Sequence, residues 1–576
     1  MVKRISNQET SRLLAEIGEY LEMEGIPFKP RAYEKAAQAV GELDKGVSEI
    51  YEAGGLKALE GIPGIGASIA KKIEELLQTG RLKYYDELKK KVPVDLSGLR
   101  KIEGLGPKSI KKLYEELGIK TIADLEKAAR AGKIAKLEHF GAKSEENILK
   151  GLDFLKKATG RLLLGAVLPK ARLIEKRLGE LKEVERIALA GSLRRRKETI
   201  GDLDVLVVSK KPKPVMDFFV SMPEVVHISA HGETKSAVKL ESGLDVDLRV
   251  VPAESYGAAL NYFTGSKDHN VTLREMAMAK GWKLNEYGLF KGNKQIAGKT
   301  EEELYAALGM DYIEPEMREN TGEIKAAKKH KLPKLIGYGD LLGDLQIQTD
   351  WTDGADSIEA YAQAAIQRRH KYIAITDHTK RLAMTGGLDE KKIRKQWAEI
   401  DQVQKKIGPK LKILKGTECD ILKDGSLDLD DETLSQLDVV GVAVHSHFDL
   451  PREEQTRRII RAIKNPNVDI LFHPTGRLIG KREAYDLDMD AIIKAAKETG
   501  AVLEIDAMPD RLDLKDEYIR KCVAAGVKLA IDTDAHSIPH LDFLEYGIAQ
   551  ARRGWAQKSD VVNTRPLEAF LKLLKK

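Results

Sequence analysis

Cysteine is nearly absent from this chain: Cys419 and Cys522 are its only two in 576 residues. A disulfide framework is thereby excluded, and the usage suits a reducing compartment, so a cytoplasmic protein is expected. Long apolar runs are missing too. None reaches the roughly 18 residues that a spanning helix needs, so no membrane partner is expected. The opening Met1-Val2-Lys3-Arg4-Ile5 leads into a polar helical stretch and lacks the apolar core of a signal peptide. Neither sign of charge dominates, since 96 basic residues against 90 acidic ones leave a formal charge of +6. Such a small surplus does not name a nucleic-acid partner; the clustering of basic residues matters more. Length excludes a single core, so three or four domains are expected.

What is present begins with acids in an alternating pattern. Gly201-Asp202-Leu203-Asp204-Val205-Leu206-Val207-Val208 reads as a strand. Side chains two apart on a strand share a face, so Asp202 and Asp204 project together, away from Leu203 and Val205. A second strand-like run, Leu244-Asp245-Val246-Asp247-Leu248-Arg249-Val250-Val251, puts Asp245, Asp247 and Arg249 on one face. Carboxylates converging from neighbouring strands repel unless cations lie between them. Two magnesium ions about 4 Å apart, held in this way, suit in-line phosphoryl transfer. For Asp202 and Asp204 alone, ordinary surface acids are the plainer reading.

The residues upstream reverse that judgement. Gly191-Ser192-Leu193-Arg194-Arg195-Arg196 follows the apolar run Ile187-Ala188-Leu189-Ala190. A glycine turn offers backbone N–H groups and a serine hydroxyl to a phosphate, and arginines add forked donors. The turn, the arginines and the paired acids together resemble the nucleotidyltransferase superfamily. Tyr262-Phe263-Thr264-Gly265-Ser266, Asn270, Arg274 and Asn285-Glu286-Tyr287 narrow the resemblance, which covers residues 1–320, to the family X (polymerase beta-like) DNA polymerases. It implies that Asp202, Asp204 and Asp247 bind two catalytic magnesium ions (manganese being an alternative), with Asp247 helping to activate the primer 3′-hydroxyl. It also implies that Gly191, Ser192 and Arg195 hold phosphates, and that Tyr262, Phe263 and Gly265 line the sugar pocket. Asn270 would touch the nascent base, and Arg274, Glu286 and Tyr287 the template side. Lys267 stands where the family often has an acid, so contacts there differ.

The first third reads as helices with glycine hairpins. Residues 7–25 place Leu13, Leu14, Ile17 and Leu21 on one side. Gly61-Ile62-Pro63-Gly64-Ile65-Gly66 precedes Lys71-Lys72, and Ile102-Glu103-Gly104-Leu105-Gly106-Pro107 precedes Lys111-Lys112. Both resemble helix-hairpin-helix motifs, with Gly61, Gly64, Gly66, Gly104 and Gly106 letting the backbone approach DNA phosphates without reading bases. A third, weaker copy lies near His139-Phe140-Gly141. The family resemblance places Lys72 where a lysine forms a Schiff base with an abasic sugar and releases 5′-deoxyribose phosphate. Its amine would need a lowered pKa, to which neighbouring Lys71 could contribute. A family phosphate-binding lysine is replaced by Ser68, and simple phosphate contact is the plainer role for Lys72.

After residue 335 strands and helices alternate, as in a parallel sheet or barrel. Metal-capable residues recur at strand C-terminal ends, where barrel sites assemble. Thr376-Asp377-His378, Gly416-Thr417-Glu418, Val444-His445-Ser446, Phe472-His473-Pro474-Thr475-Gly476-Arg477 and Thr533-Asp534-Ala535-His536 resemble the PHP (polymerase and histidinol phosphatase) domain. That resemblance implies a trinuclear zinc or manganese site with Asp353, His378, Glu418, His445, His473, Asp534 and His536 as ligands, hydrolysing phosphodiesters as a 3′–5′ exonuclease. The first motif departs from the family's Asp-Leu-His-x-His, reading Asp344-Leu345-Gln346-Ile347-Gln348. A neutral amide oxygen is a weaker donor than imidazole to such metals, so exonuclease activity is expected to be absent or reduced.

The fold class expected is multidomain α/β. It comprises a helical DNA-end-binding domain (1–90), a fingers-like helical domain (91–160), a nucleotidyltransferase palm with a mixed sheet (161–260) and a thumb-like subdomain (261–321). A linker with little structure of its own (322–338) and a PHP barrel (339–576) complete it. The expected function is template-directed DNA polymerisation that fills short gaps in base excision repair, acting as a monomer on gapped or nicked DNA and dNTPs. The alternatives are a PHP phosphoesterase or abasic-site enzyme delivered to DNA by the front half, a DNA-binding scaffold, and template-independent nucleotide addition.

Overall fold

A computed structural model describes residues 5–574, apart from 42, 44, 101, 103, 104, 158 and 159. The chain forms two compact units, one of residues 1–158 with 480–482, the other of residues 159–479 with 483–576. Among the described residues no helix is long and apolar enough to cross a membrane.

The first unit is helical. Its opening helix, Asn7–Met23, is capped by the Ser6 hydroxyl, which accepts from the Glu9 N–H. Leu13, Leu14, Ile17 and Leu21 are all buried, as the spacing predicts, in one core shared with the later helices. Helices Val47–Glu60 and Ala67–Thr79 flank the first glycine hairpin, and Pro107–Leu117 follows the second.

The second unit opens on a five-stranded mixed sheet. Its order is Arg186–Leu189, Asp202–Val208, Asp245–Val251, Lys235–Leu240, Val225–His231. The two acid-bearing strands are parallel neighbours, and every other pairing is antiparallel. Leu203, Val205, Val246 and Leu248 are buried, so alternation forces the acids to the opposite face. Helix Tyr256–Thr264 spans the expected palm–thumb boundary at 260/261, and a three-stranded antiparallel sheet follows (Lys283–Asn285, Gly288–Lys291, Lys294–Ala297).

The stretch 322–338 differs from the expected structureless linker. Residues Glu323–Lys328 form a helix with Glu323, Ile324 and Ala327 buried. The Glu323 carboxylate takes the Asn320 and Thr321 N–H groups (2.9 and 2.7 Å) and the buried His269 imidazole (2.7 Å). The basic run on its solvent side masked an apolar side with the i, i+3 spacing of a packed helix.

The rest is a barrel of seven parallel strands from Gly343–Asp344 to Leu529–Asp532. Its ends meet: Ile347 bridges Ala535, and the Gln348 N–H donates to the Ala535 carbonyl at 2.8 Å. Leu345, Ala374, Leu414, Ile470, Val502 and Ala530 form one apolar cluster closed by Phe570, whose ring stacks on Tyr372 at 5.3 Å. Polar side chains of the barrel therefore gather toward the C-terminal ends of its strands.

Candidate functional site

Asp204 and Asp247 stand directly across from each other in the parallel ladder, with Asp202 two residues before Asp204 on the same face. Asp247 is also met by Lys235 at 3.0 Å and Arg249 at 3.8 Å. Asp204 is pushed up to about 6, first by burial and then by Asp202 and Asp247, against the pull of Arg249 and Lys235. The cations on Asp247 do not offset the burial and repulsion that raise Asp204, so this group of acids fits divalent metal.

The Gly191-Ser192 turn lies against these acids. Gly191 has φ +64, and a Cβ there would fall 2.6 Å from Asp204 Oδ2, so both backbone and space demand glycine. The Ser192 hydroxyl is buried without a protein partner. Both residues line an open cleft of about 640 Å³ together with Asp202, Asp204 and Arg195. Arg194 takes no part: it forks onto Glu301 (2.9 and 2.6 Å) and reaches the Thr264 hydroxyl (2.7 Å). Glu301 also binds the fully buried Arg318. Burial alone would raise Glu301, but the two arginines hold it down at about 2.

Helix Tyr256–Thr264 delivers the aromatic pair to the cleft and stops at Gly265, whose φ is +72. Tyr262 and Phe263 meet edge-to-face at 5.2 Å, and the Arg249 guanidinium lies 4.6 Å from the Phe263 ring centre. Asn270 lines the cleft and donates to the Tyr262 carbonyl at 2.7 Å. Arg274 and Lys267 also line it, whereas Glu286 and the exposed Tyr287 are not among its lining residues. Three cleft residues went unnoticed in the sequence: Arg161, Lys197 and Thr199. Lys197 was signalled by its place just past the arginine run, whereas Arg161, far from any motif, had no such signal.

In the helical unit, Gly61 caps Val47–Glu60, Gly64 has φ +84, and Gly66 and Gly106 precede helices Ala67–Thr79 and Pro107–Leu117. A Cβ at Gly66 or Gly106 would meet nothing within 4 Å, so these turns leave open space before a helix N-terminus. Gly104 lies outside the described residues. Near His139, whose φ is +68, a tight turn precedes helix Ala142–Lys157. Lys72 lines a separate pocket of about 610 Å³ with Ser68 and Tyr84. Its amine is 3.2 Å from the Ser68 hydroxyl and 5.0 Å from the Tyr84 ring centre. Its pKa is lowered by burial and then by Lys29; the assisting cation is thus Lys29 rather than its sequence neighbour Lys71.

All seven expected ligands of the barrel come together. Glu418 is the hub: His473 Nε2 lies 2.7 Å, His445 Nε2 3.0 Å and His378 Nδ1 3.4 Å from its carboxylate. Asp353 stands 3.6 Å from His378 and 3.8 Å from His536, and His536 lies 3.9 Å from Asp534. Two groups, Asp353/His378/His536 and His378/Glu418/His445, share His378 and each bring their ligand atoms within 4.8 Å of one another. These imidazole and carboxylate sets fit divalent metal. The glutamines change the remaining side. The Gln348 amide donates to Glu418 at 2.6 Å, and fully buried Gln346 has both amide atoms unpartnered within the protein. Arg511, which no sequence pattern singled out, sets its guanidinium 3.3 Å from Asp506 and 3.6 Å from Asp534.

A glycine turn with an unpartnered hydroxyl beside paired strand acids, joined to a barrel whose strand ends gather imidazoles and carboxylates, is the arrangement of a nucleotidyltransferase with an attached PHP-like domain. Known proteins agree. Residues 5–82 match the helix-hairpin-helix domain, 96–153 the SAM-like helix-hairpin-helix tandem, 259–319 the DNA polymerase beta thumb and 344–506 the PHP domain. The DNA polymerase/3'-5' exonuclease PolX of Bacillus subtilis (strain 168) is 39% identical over 569 residues, 97% of this chain and 98% of its own. DNA polymerase lambda of Rattus norvegicus is 26% identical over 364 residues, 54% of this chain and 58% of its own. A probable phosphatase of Thermoanaerobacter sp. (strain X514) is 35% identical over 136 residues, 22% of this chain and 53% of its own. The chain belongs to the family X DNA polymerases that carry a PHP domain.

Proposed function

We propose that the chain adds deoxynucleotides to primer 3′ ends across short gaps in DNA, directed by a template. The observation that carries this reading is the in-register pair Asp204 and Asp247, with Asp202, beside the Gly191-Ser192 turn. Asp202, Asp204 and Asp247 would hold two magnesium ions, which supply charge neutralisation and an activated 3′-hydroxyl when bound. Asp247 would help activate the primer 3′-hydroxyl. The unpartnered Ser192 hydroxyl, the Gly191 turn and the Arg195 guanidinium receive the β and γ phosphates. Tyr262, Phe263 and Gly265 bound the sugar and disfavour a 2′-hydroxyl, and Asn270 meets the new base. Arg274, Glu286 and Tyr287 act toward the template, and the glycine hairpins grip gapped or nicked backbone. We assign the protein to the cytoplasm as a monomer. Replacing Asp247 with alanine is expected to abolish addition on a gapped duplex and leave DNA binding intact. Equal extension of a bare single strand by the wild type would sink the templated reading.

The pocket around Lys72 supports a second activity, release of 5′-deoxyribose phosphate through a Schiff base on its lowered-pKa amine. Borohydride trapping on a 5′-abasic end, lost in K72A, tests it; equal trapping in K72A refutes it. The barrel reads as a PHP centre with two of its three metal positions supplied with donors, and its exonuclease as reduced or absent.

A further inference from the structure

We propose that the rear barrel lends the polymerase cleft a positioning residue, Arg553, which keeps Arg195 free to grip the incoming triphosphate. This rests on reading the cleft as the nucleotide site.

Arg553 ends helix Leu544–Arg553 of the barrel, and its side chain is only 2% exposed. Its Nη1 donates to the Arg195 carbonyl at 2.8 Å and to Glu319 Oε1 at 3.1 Å, and its Nη2 binds Asp516. The same Glu319 oxygen accepts from Arg195 Nε at 3.1 Å, with Lys197 at 3.9 Å. Arg195 also donates to the Thr264 carbonyl, beside Gly265. Glu319 is thus shared between an arginine that lines the cleft and one that does not.

The sharing matters because a half-buried carboxylate competes with a triphosphate for the same guanidinium. While Arg553 neutralises Glu319, Arg195 is held in direction without being fully paired. Remove Arg553, and among the described residues Glu319 keeps the cations of Arg195 and Lys197 alone, so it draws both away from the cleft. The barrel holds this loop at a second point. Arg477 forks onto Glu198 at 3.1 and 2.7 Å, and the Gln550 amide joins at 2.8 Å. The segment between cradle and acid strand is therefore braced at Arg195 and at Glu198.

Steady-state incorporation on a gapped duplex by the full chain tests this. R553M is expected to raise the dNTP KM about tenfold, a size usual for coupled charges in contact, while kcat and DNA affinity change less. R553K should fall between R553M and wild type. Adding E319Q to R553M should bring the KM back toward wild type, because the competing charge is gone; loss of mere packing would not be repaired so. If R553M does not fold, D516N, which loosens the same arginine, is expected to raise KM by a smaller factor. An unchanged KM in the variant that folds, or no recovery on adding E319Q, overturns the brace alone. A wild-type chain that adds no nucleotide overturns the reading of the cleft and the brace with it.

Discussion

Asp204 shares one face of the sheet with Asp202, Asp245 and Asp247, and its proton reports the charge state of the cleft. Its folded pKa, about 6, lies above the ordinary carboxylate value near 3.9. The folded state therefore holds this proton more tightly than the unfolded one, so Asp204 lowers stability as pH rises from about 4 to about 6 and the full cost persists above. Divalent cation reverses the sign by favouring the ionised form. In metal-free buffer at pH 7.5, D204N is expected to melt above wild type, with the gap closing toward pH 4. Magnesium should raise the wild-type midpoint at pH 7.5, do so less below pH 6, and hardly move D204N. Thermal scans read all three; a D204N midpoint equal to or below wild type at pH 7.5 would show that the acids do not conflict.

Elements show what local reading captures and what it misses. Helix Glu323–Lys328 buries an acid that caps two backbone N–H groups and pairs with His269, which also reaches the Tyr305 hydroxyl at 2.9 Å. Glu323→Ala would strand the buried His269 imidazole, at a cost of about 1–3 kcal/mol, and leave the Asn320 and Thr321 N–H groups to solvent. It is expected to loosen helix Lys267–Ala279, which carries Asn270 and Arg274, visibly in amide hydrogen exchange; Glu323→Gln should loosen it less. Unchanged exchange in Glu323→Ala would make the contact incidental. The alternation of Asp202, Asp204 and Asp247, the glycine turn and the strand-end histidines were legible because each is a short pattern with a fixed period. Glu323 was not, since its partner lies 54 residues away. The same holds for Glu319, Arg553 and Arg511, ordinary charges in sequence whose meaning comes only from what folds against them.

At the scale of the whole molecule, the palm, thumb and barrel form one compact unit while the hairpin helices form another. The barrel gathers two groups of imidazoles and carboxylates that could hold a metal ion, yet places a glutamine N–H, rather than a lone pair, against Glu418. Restoring both imidazoles in Q346H/Q348H is expected to raise the number of manganese or zinc ions bound by the full chain and to bring 3′–5′ degradation up from near zero. Metal analysis after dialysis and release of labelled 3′ nucleotides measure the two. Manganese-dependent degradation by the unmodified chain at the double variant's rate would refute the impairment.

The Arg553–Arg195 contact joins residues 358 positions apart. Ribosomes elongate at about 5–20 residues per second, so the palm waits roughly 20–70 s for that arginine to be made. On the proposed brace, a nascent or prematurely stopped product would lack the arginine that steadies Arg195. If Arg553 braces Arg195 as proposed, synthesis order would withhold efficient nucleotide capture until the back of the protein has been translated and folded.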